Sequence, residues 1–204
     1  MKHYIRLSNA PIDFLNACKK LYEEKFCNYN FDIKMSKFHY STDLSNEDHN
    51  YLNKYLPEPS SDSSWNLITN AGPPHPAHID RGRKAALQVP IVANSSDHFC
   101  YVLKDESFFD ALTPQESSGF MNKLDTKWLN ERYPGMPMFY KFEEQYFDIN
   151  NIKAYEPYIN DTSIPHGGIH TKEHSNRFFF SISIPAKKEI QELKGIFSKW
   201  IGKD

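Results

Sequence analysis

The chain has 204 residues, of which 39% are hydrophobic and 25% are charged, and its formal net charge is −2. This composition is typical of a folded globular protein, and the small net charge predicts no binding to nucleic acid or to an anionic membrane. The N-terminus lacks the apolar stretch of a signal peptide, and no apolar run is long enough to cross a bilayer, so we expect a cytoplasmic protein. The three cysteines form no CxxC pair, which argues against a thiolate zinc site.

We expect one domain over residues 1–204, beginning with a cover of helices and loops over residues 1–64. Apolar side chains recur at helical spacing in residues 9–26, which predicts an amphipathic helix. The stretch "LSNEDHNYLNKYL" predicts a second, short helix capped by Ser45. The polar residues 57–64 then predict a connector before the next structural region.

We expect the core of the fold in residues 65–184. Short runs rich in β-branched and aromatic residues alternate there with turn signals, which favours a mainly β sandwich, jelly roll or barrel with flanking helices. A helical pattern at 113–135 interrupts the strands and predicts an insertion. Residues 185–204 carry apolar side chains on one face and predict a C-terminal helix beside the sheet. The predicted strands are "SWNLIT", "AALQVPIVA", "FCYVLK", "MFYKFEE", "AYEPYIN" and "RFFFSISI".

The stretch "PPHPAHID" at residues 73–80 has the residue types of a metal site. In a strand, His78 and Asp80 point to the same side and lie about 6–7 Å apart along the backbone, so both can bind one cation. A third ligand must come from elsewhere, and the downstream "SIPHGGIHTKEHSNRFFFSIS" supplies His166, His170 and His174 as candidates. Two histidines and a carboxylate leave half of an octahedron open, which is the ligand set of non-haem Fe(II) oxygenases.

The order of these motifs resembles the Fe(II)- and 2-oxoglutarate-dependent dioxygenases. "HID", a strand of the type "AALQVPI", then "NDTSIPHGG" and an arginine eleven residues after its histidine follow that family's pattern across residues 65–184. The resemblance implies a double-stranded β-helix, which is a cupin-like jelly roll. It also implies that His78, Asp80 and His166 bind iron and that Arg177 binds the distal carboxylate of 2-oxoglutarate.

The same resemblance implies that the chain requires Fe(II), 2-oxoglutarate and O2, with ascorbate helpful in vitro. A permanently charged, planar guanidinium suits the clamp role of Arg177, and Ser181 on the same strand face can assist it. Asp80 argues against halogenation, because halogenating relatives have a small residue there. We therefore expect hydroxylation or a related oxidation of a small molecule or a side chain, whose identity the sequence does not reveal.

Several alternatives stay open at this point. His170 is the reserve ligand in place of His166, and His75 is a less favoured fourth ligand between prolines. Tyr158 and Asn160 either line a pocket or pack in the core, as does Tyr101 on an earlier strand. The stretch "HPAHID" departs from the H-x-H-x-D-H motif of metallo-β-lactamase-like enzymes in its spacing.

The main functional alternative is a non-catalytic, metal-binding cupin-type module, which needs the same strands. The charge of Arg177 favours the enzyme, because a guanidinium facing a barrel interior is costly unless it meets an anion.

Overall fold

The structure, a computed structural model, describes most of the predicted core and its flanking helices. Residues 115–135 of the predicted insertion lie outside the described residues, as do His75 and His174. The described ranges are 3–27, 39–58, 64–70, 77–80, 84–92, 98–114, 139–170, 177–183 and 189–202.

Within the described residues, eleven antiparallel strands form two sheets. The large sheet has the order β1-β9-β5-β11-β3-β2, and the small sheet has the order β7-β4-β10-β6-β8. Neighbours in each sheet are distant in sequence, as expected for the crossing connections of a jelly roll. The predicted mainly β, jelly-roll fold is confirmed. The strands are β1 (Tyr4–Arg6), β2 (His39–Asp43), β3 (Ser64–Asn70), β4 (Ala77–His78), β5 (Ala85–Val92), β6 (His98–Leu103), β7 (Phe139–Tyr140), β8 (Phe147–Asn151), β9 (Tyr158–Asp161), β10 (His166–His170) and β11 (Arg177–Ser183).

The N-terminal region contributes two strands that the sequence analysis did not predict. β1 pairs with β9 at one edge of the large sheet, and β2 pairs with β3 at the other edge. These additions extend a core of four strands to six. The cover over residues 1–64 is therefore partly strand, because its backbone completes the hydrogen bonding of two exposed edges.

Two predicted strands are shorter in the structure than in the prediction. "MFYKFEE" forms only the two-residue β7, after which a short 3-10 turn at Glu144–Tyr146 leads into β8, a strand that the prediction missed. "AYEPYIN" becomes a strand only at Tyr158. The reason lies at Tyr155, whose φ of 57° is left-handed and turns the chain before β9 can begin.

In the part of the chain that the structure describes, three α-helices cover one face of the large sheet. α1 spans Ile12–Leu21, α2 spans Asn46–Asn53 and α3 spans Ile190–Ile196. The predicted cap of α2 is confirmed, since the Ser45 hydroxyl oxygen accepts a hydrogen bond from the backbone N–H of Asp48 at 3.2 Å. Within the described ranges, no helix combines the length and the apolar character that crossing a membrane requires.

The main hydrophobic core lies between these helices and the large sheet. We call the sheet face that it covers the outer face, and the face turned toward the small sheet the inner face. Burial of the outer face follows from the alternation of side chains along each strand. Its strand residues include Trp65, Leu67, Leu87, Val89, Ile159 and Phe180, and the helices contribute Phe14, Cys18, Leu52, Leu193 and other apolar residues.

Candidate metal centre

His78 and His166 lie side by side on the small sheet. β10 is flanked by β4 and β6, and the Cα atom of His166 lies opposite that of His78. Directly opposite residues of antiparallel strands project to the same face, with their Cβ atoms about 4.5–5.5 Å apart. The two imidazole rings accordingly have centroids 4.5 Å apart.

Asp80 completes a compact group of three with His78 and His166, which we call the metal group. Its position two residues beyond His78 gives it the same side of the chain, and its backbone N–H donates to the carbonyl oxygen of Thr162 at 2.9 Å. Its carboxylate lies near the Nε2 atoms of both rings. Oδ1 is 3.7 Å from Nε2 of His78, and Oδ2 is 3.9 Å from Nε2 of His166.

A hydrogen bond fixes the tautomer of His166. Its Nδ1 lies 3.0 Å from the carbonyl oxygen of Ile164. A carbonyl oxygen can only accept, so Nδ1 carries the proton and donates it to this bond. In the neutral ring the lone pair is then on Nε2, the nitrogen that faces Asp80. Metal-binding histidines in proteins are commonly oriented in this way by a backbone carbonyl on the other nitrogen.

The donor set fits a divalent transition metal. One ligand atom from each of His78, Asp80 and His166 lies within 4.8 Å of the others, and in the part of the chain described these three form such a group. Bonds of about 2.1 Å to nitrogen and oxygen place neighbouring octahedral ligands about 3 Å apart, so a metal needs only a small closure of the group. The side chains of His78 and Asp80 are 32% and 20% exposed, which leaves one side of the group open.

The register of β10 separates His166 from the alternative ligand His170. The Cα atom of His170 pairs with that of His98 at the far end of the strand. Four residues of a strand span about 13 Å, so the two histidines stand at opposite ends of β10. The side chain of His170 lies outside the described part of the structure. The assignment of His166 as a ligand stays a prediction, and the close grouping with His78 and Asp80 supports it.

The predicted binding residues for 2-oxoglutarate lie on β11. Arg177 is the first residue of this strand, with its Cα atom opposite that of Asn70, and its side chain lies outside the described part. Ser181 is described, and its side chain is buried. Its Cα atom lies opposite that of Gln88 on β5, in the middle of the large sheet. The roles of Arg177 and Ser181 stay predictions.

The structure decides the role of Tyr101, which the sequence left open, and reveals a buried polar residue, Gln88, that the sequence analysis did not identify. Tyr101 is a packing residue, since it is fully buried in a cluster with Leu103 and Phe147. Its Cα atom pairs with that of Gly167, the residue after His166, so its side chain points to the face opposite His166. Gln88 was missed. It is buried although it is polar, and its signal in the sequence is a single polar residue inside the otherwise apolar strand "AALQVPIV".

The described fold is similar to that of several solved structures. EvdO2 from Micromonospora carbonacea var. aurantiaca superposes with a TM-score of 0.51 at 10% identity, covering 89% of this chain and 85% of that protein. The double-stranded β-helix is the shared fold. SnoN, an alpha-ketoglutarate-dependent epimerase from nogalamycin biosynthesis, gives 0.50 at 9% identity, covering 88% and 77%. HygX from Streptomyces hygroscopicus with nickel, 2-oxoglutarate and hygromycin B bound gives 0.50 at 9%, covering 88% and 81%.

These comparisons confirm the predicted fold. No protein-family model matches the sequence, and no curated protein sequence is similar to it. At about one identical residue in ten, the similarity shows that the strands are arranged in the same way. Activity depends instead on the residues of the site. The evidence on function therefore lies in the grouping of His78, Asp80 and His166.

Proposed function

We propose that the chain is an Fe(II)- and 2-oxoglutarate-dependent oxygenase. The observation that carries the proposal is the convergence of His78, Asp80 and His166 on one side of the barrel, with the lone pair of His166 Nε2 directed into the group. Two histidines and one carboxylate on one side leave three coordination positions for other molecules, as in non-haem iron oxygenases. The shared fold with 2-oxoglutarate-dependent enzymes supports this choice of cosubstrate.

Each proposed residue has one task. His78, Asp80 and His166 hold the iron, and Arg177 pairs with the distal carboxylate of 2-oxoglutarate through its planar fork, assisted by Ser181. Bound iron and 2-oxoglutarate supply the oxidising chemistry, in which the cosubstrate is converted to succinate and carbon dioxide. The protein positions the reactants and limits the access of water.

The substrate class follows only in part from the site. Asp80 supplies a carboxylate to the group of three. A small residue at this position would instead leave a coordination position free for a halide. This favours hydroxylation or a related oxidation over halogenation. We propose a small molecule or a side chain as the substrate, in line with the modest net charge of −2, which favours no polyanionic partner.

Succinate release tests the proposal directly. Purified protein is incubated with Fe(II), ascorbate and 2-oxoglutarate, and succinate is measured with and without candidate substrates. We expect slow uncoupled release from the wild type and none from His78→Ala. Tight metal binding without any succinate in the presence of a broad substrate panel would instead identify a non-catalytic metal-binding module.

A second variant tests the clamp separately. Arg177→Ala should weaken the binding of 2-oxoglutarate by about tenfold or more, because a charge-assisted bidentate pair is lost, and should leave metal affinity intact. Arg177→Lys is the matched variant, since it keeps the charge and loses the fork. Equal loss of metal binding in Arg177→Ala and Asp80→Ala would show that the arginine has been given the wrong role.

A further inference from the structure

Phe139, on the two-residue strand β7, lies beside the metal group. Its Cα atom is opposite that of His78 on β4, and the Cα atom of Val102 on β6 is opposite that of His166 on β10. Residues directly opposite each other in antiparallel strands project to the same face of the sheet. The order of the strands therefore places Phe139, His78, His166 and Val102 in one row, with an apolar side chain on each side of the two imidazoles.

The ring of Phe139 packs against the imidazole of His78. The ring centroids are 6.2 Å apart and the planes are inclined by 39°. This separation lies within the range of about 4.5–7 Å over which pairs of aromatic rings attract each other. On the other side of β4, the ring of His166 has its centroid 4.5 Å from that of His78. The imidazole of His78 therefore has a flat neighbour on each side.

Core packing accounts for the other residue of β7 and not for Phe139. Phe139 is buried, yet the three hydrophobic clusters found among the described residues do not include it. Tyr140 points to the opposite face and belongs to one of these clusters, where its ring centroid lies 5.4 Å from that of Phe109. Tyr140 thus joins the strand to the core, whereas Phe139 contacts a residue of the metal group.

A flat neighbour restricts the rotation of an imidazole. Rotation of a histidine ring about its Cβ–Cγ bond has a broad energy profile, so packing decides how well the ring is oriented. In the structure, Nε2 of His78 faces Oδ1 of Asp80 at 3.7 Å, which is the orientation that a shared metal requires. A side chain that is ordered only on binding costs affinity, and one that is already ordered does not. Contact with Phe139 therefore favours metal binding by His78.

We propose that Phe139 is a positioning residue that holds the imidazole of His78 in its metal-binding orientation and shields this side of the metal group from water. Apolar surroundings of a metal site limit the access of solvent and are part of its design. The inference rests on the proposed function for the identity of the metal as iron. The orientation of His78 by Phe139 rests on the contact between the two rings and on the shared face of the sheet.

Crystal structures of the metal-free protein test the orientation of His78 directly. In the wild type and in Phe139→Tyr, which keeps the ring, we expect one orientation of the imidazole, with Nε2 toward Asp80. In Phe139→Ala the imidazole should adopt more than one orientation. Tyr140→Ala is the matched control, because it removes a ring from the same strand on the opposite face, and it should leave His78 as in the wild type. A single, unchanged orientation of His78 in Phe139→Ala would overturn the proposal.

Isothermal titration with Ni(II) measures the consequence for binding. Phe139→Ala should lower the affinity by about two- to tenfold, because the imidazole must then be ordered on binding, and Phe139→Tyr should restore it. Phe139→Leu keeps an apolar side chain without a flat ring, so it should also bind Ni(II) more weakly, and it decides the question if the alanine variant does not fold. An equal fall of affinity in the Phe139 variants and in Tyr140→Ala would show a general effect of β7 on the fold and would refute the positioning role.

These outcomes are separate from those that test the proposed function. Succinate release requires 2-oxoglutarate, whereas the titration and the metal-free crystals do not. Weaker Ni(II) binding in Phe139→Ala, together with a wild type that releases no succinate, would refute the oxygenase and support the role of Phe139. Succinate release by the wild type, together with unchanged affinity and an unchanged His78 in Phe139→Ala, would refute the role of Phe139 alone. No Ni(II) binding by the wild type would overturn both.

Discussion

The two faces of the large sheet differ although the same strands build both. On β5, Leu87 and Val89 pack beneath the helices while Gln88 between them turns inward; on β11, Phe180 faces the helices and the buried Ser181 faces the barrel. The outer face is apolar and densely packed. The inner face carries the side-chain carboxamides of Gln88 and Asn160, whose oxygen atoms have no hydrogen-bond partner within the described residues.

This difference shows where stability and function reside. Burial of apolar area is the dominant favourable contribution to folding, so the outer face should carry most of the free energy of unfolding. Unpaired polar groups reduce stability, and they are retained where a ligand will meet them. Substitutions on the outer face should therefore change stability alone, and those around the metal group should change binding.

The largest loss of stability is expected at Phe180. Its ring lies 6.4 Å from that of Trp65 and 6.3 Å from that of Phe26, and the side chain is fully buried. Phe180→Ala should lower the free energy of unfolding by about 3–5 kcal/mol, measured by urea denaturation. Ile149→Ala, at an apolar residue that is 37% exposed, is the control and should cost far less. Loss of metal affinity in folded Phe180→Ala protein would contradict the separation of the two faces.

The largest change in binding is expected at His166. His166→Ala removes one of the three donors, so metal affinity should fall by more than the about 10–100-fold that is lost when a group hydrogen-bonded to a metal ligand is removed. Isothermal titration with Ni(II) measures the affinity, and circular dichroism checks that the fold is kept. His49→Ala on α2 is the matched control. Unchanged affinity in His166→Ala would remove this residue from the metal site and return His170 to consideration.

Local patterns in the sequence predicted much of the fold and the members of the metal group. Helical spacing predicted α1, α2 and α3, and runs of β-branched residues predicted β3, β5, β6 and β11. His78 and Asp80 are two residues apart, so their shared side follows from strand geometry alone. Their partnership with His166 came from the family resemblance, and the structure brings the three together.

Features that depend on distant pairing were harder to predict. β1 and β2 are short edge strands that form because β9 and β3 offer unpaired backbone groups. The local sequences "YIR" and "HYSTD" have no pattern that predicts this pairing. β8 has the sequence "FDINN", which is too polar to read as a strand without its partner β6. The importance of Gln88 also emerges only from its position on the inner face.

A smaller effect, on the strand that carries His166, is expected at Gly167. A Cβ atom at this residue would lie 2.5 Å from Cζ of Tyr101 and closer still to its hydroxyl oxygen. Gly167→Ala should therefore lower the free energy of unfolding by about 1–3 kcal/mol, because β10 or the buried ring must shift. Gly195→Ala is the control, since a Cβ atom there meets nothing within 4 Å.

The reason for this effect can be tested with a double variant. Tyr101→Leu removes the obstructing end of the ring, so the cost of Gly167→Ala should shrink when it is measured in that background. Metal affinity is measured in the same variants. Because β10 carries both Gly167 and His166, this shows whether the change at Gly167 also disturbs the metal group on the opposite face of the strand. Equal costs of Gly167→Ala in both backgrounds would show that the ring is not the cause.

The smallest effect is expected at Asp161, which anchors the segment leading to His166. Its carboxylate accepts hydrogen bonds from His3 Nδ1 at 2.9 Å and from the Ser163 backbone N–H at 3.0 Å. The same segment holds the metal group in place, since the carbonyl oxygen of Thr162 binds the backbone of Asp80. Asp161→Asn keeps the size and loses the acceptor for one partner, which should cost about 1 kcal/mol of stability.

The effect of Asp161→Asn on metal binding decides whether the anchor matters for the site. We expect metal affinity to fall by less than about tenfold, because the altered residue acts on the ligands only through the backbone of the segment. His3→Ala removes the same hydrogen bond from the other side, so it should produce a similar shift, and the double variant should add little. Fully additive losses of metal affinity would mean that the two residues act on the metal group by separate routes.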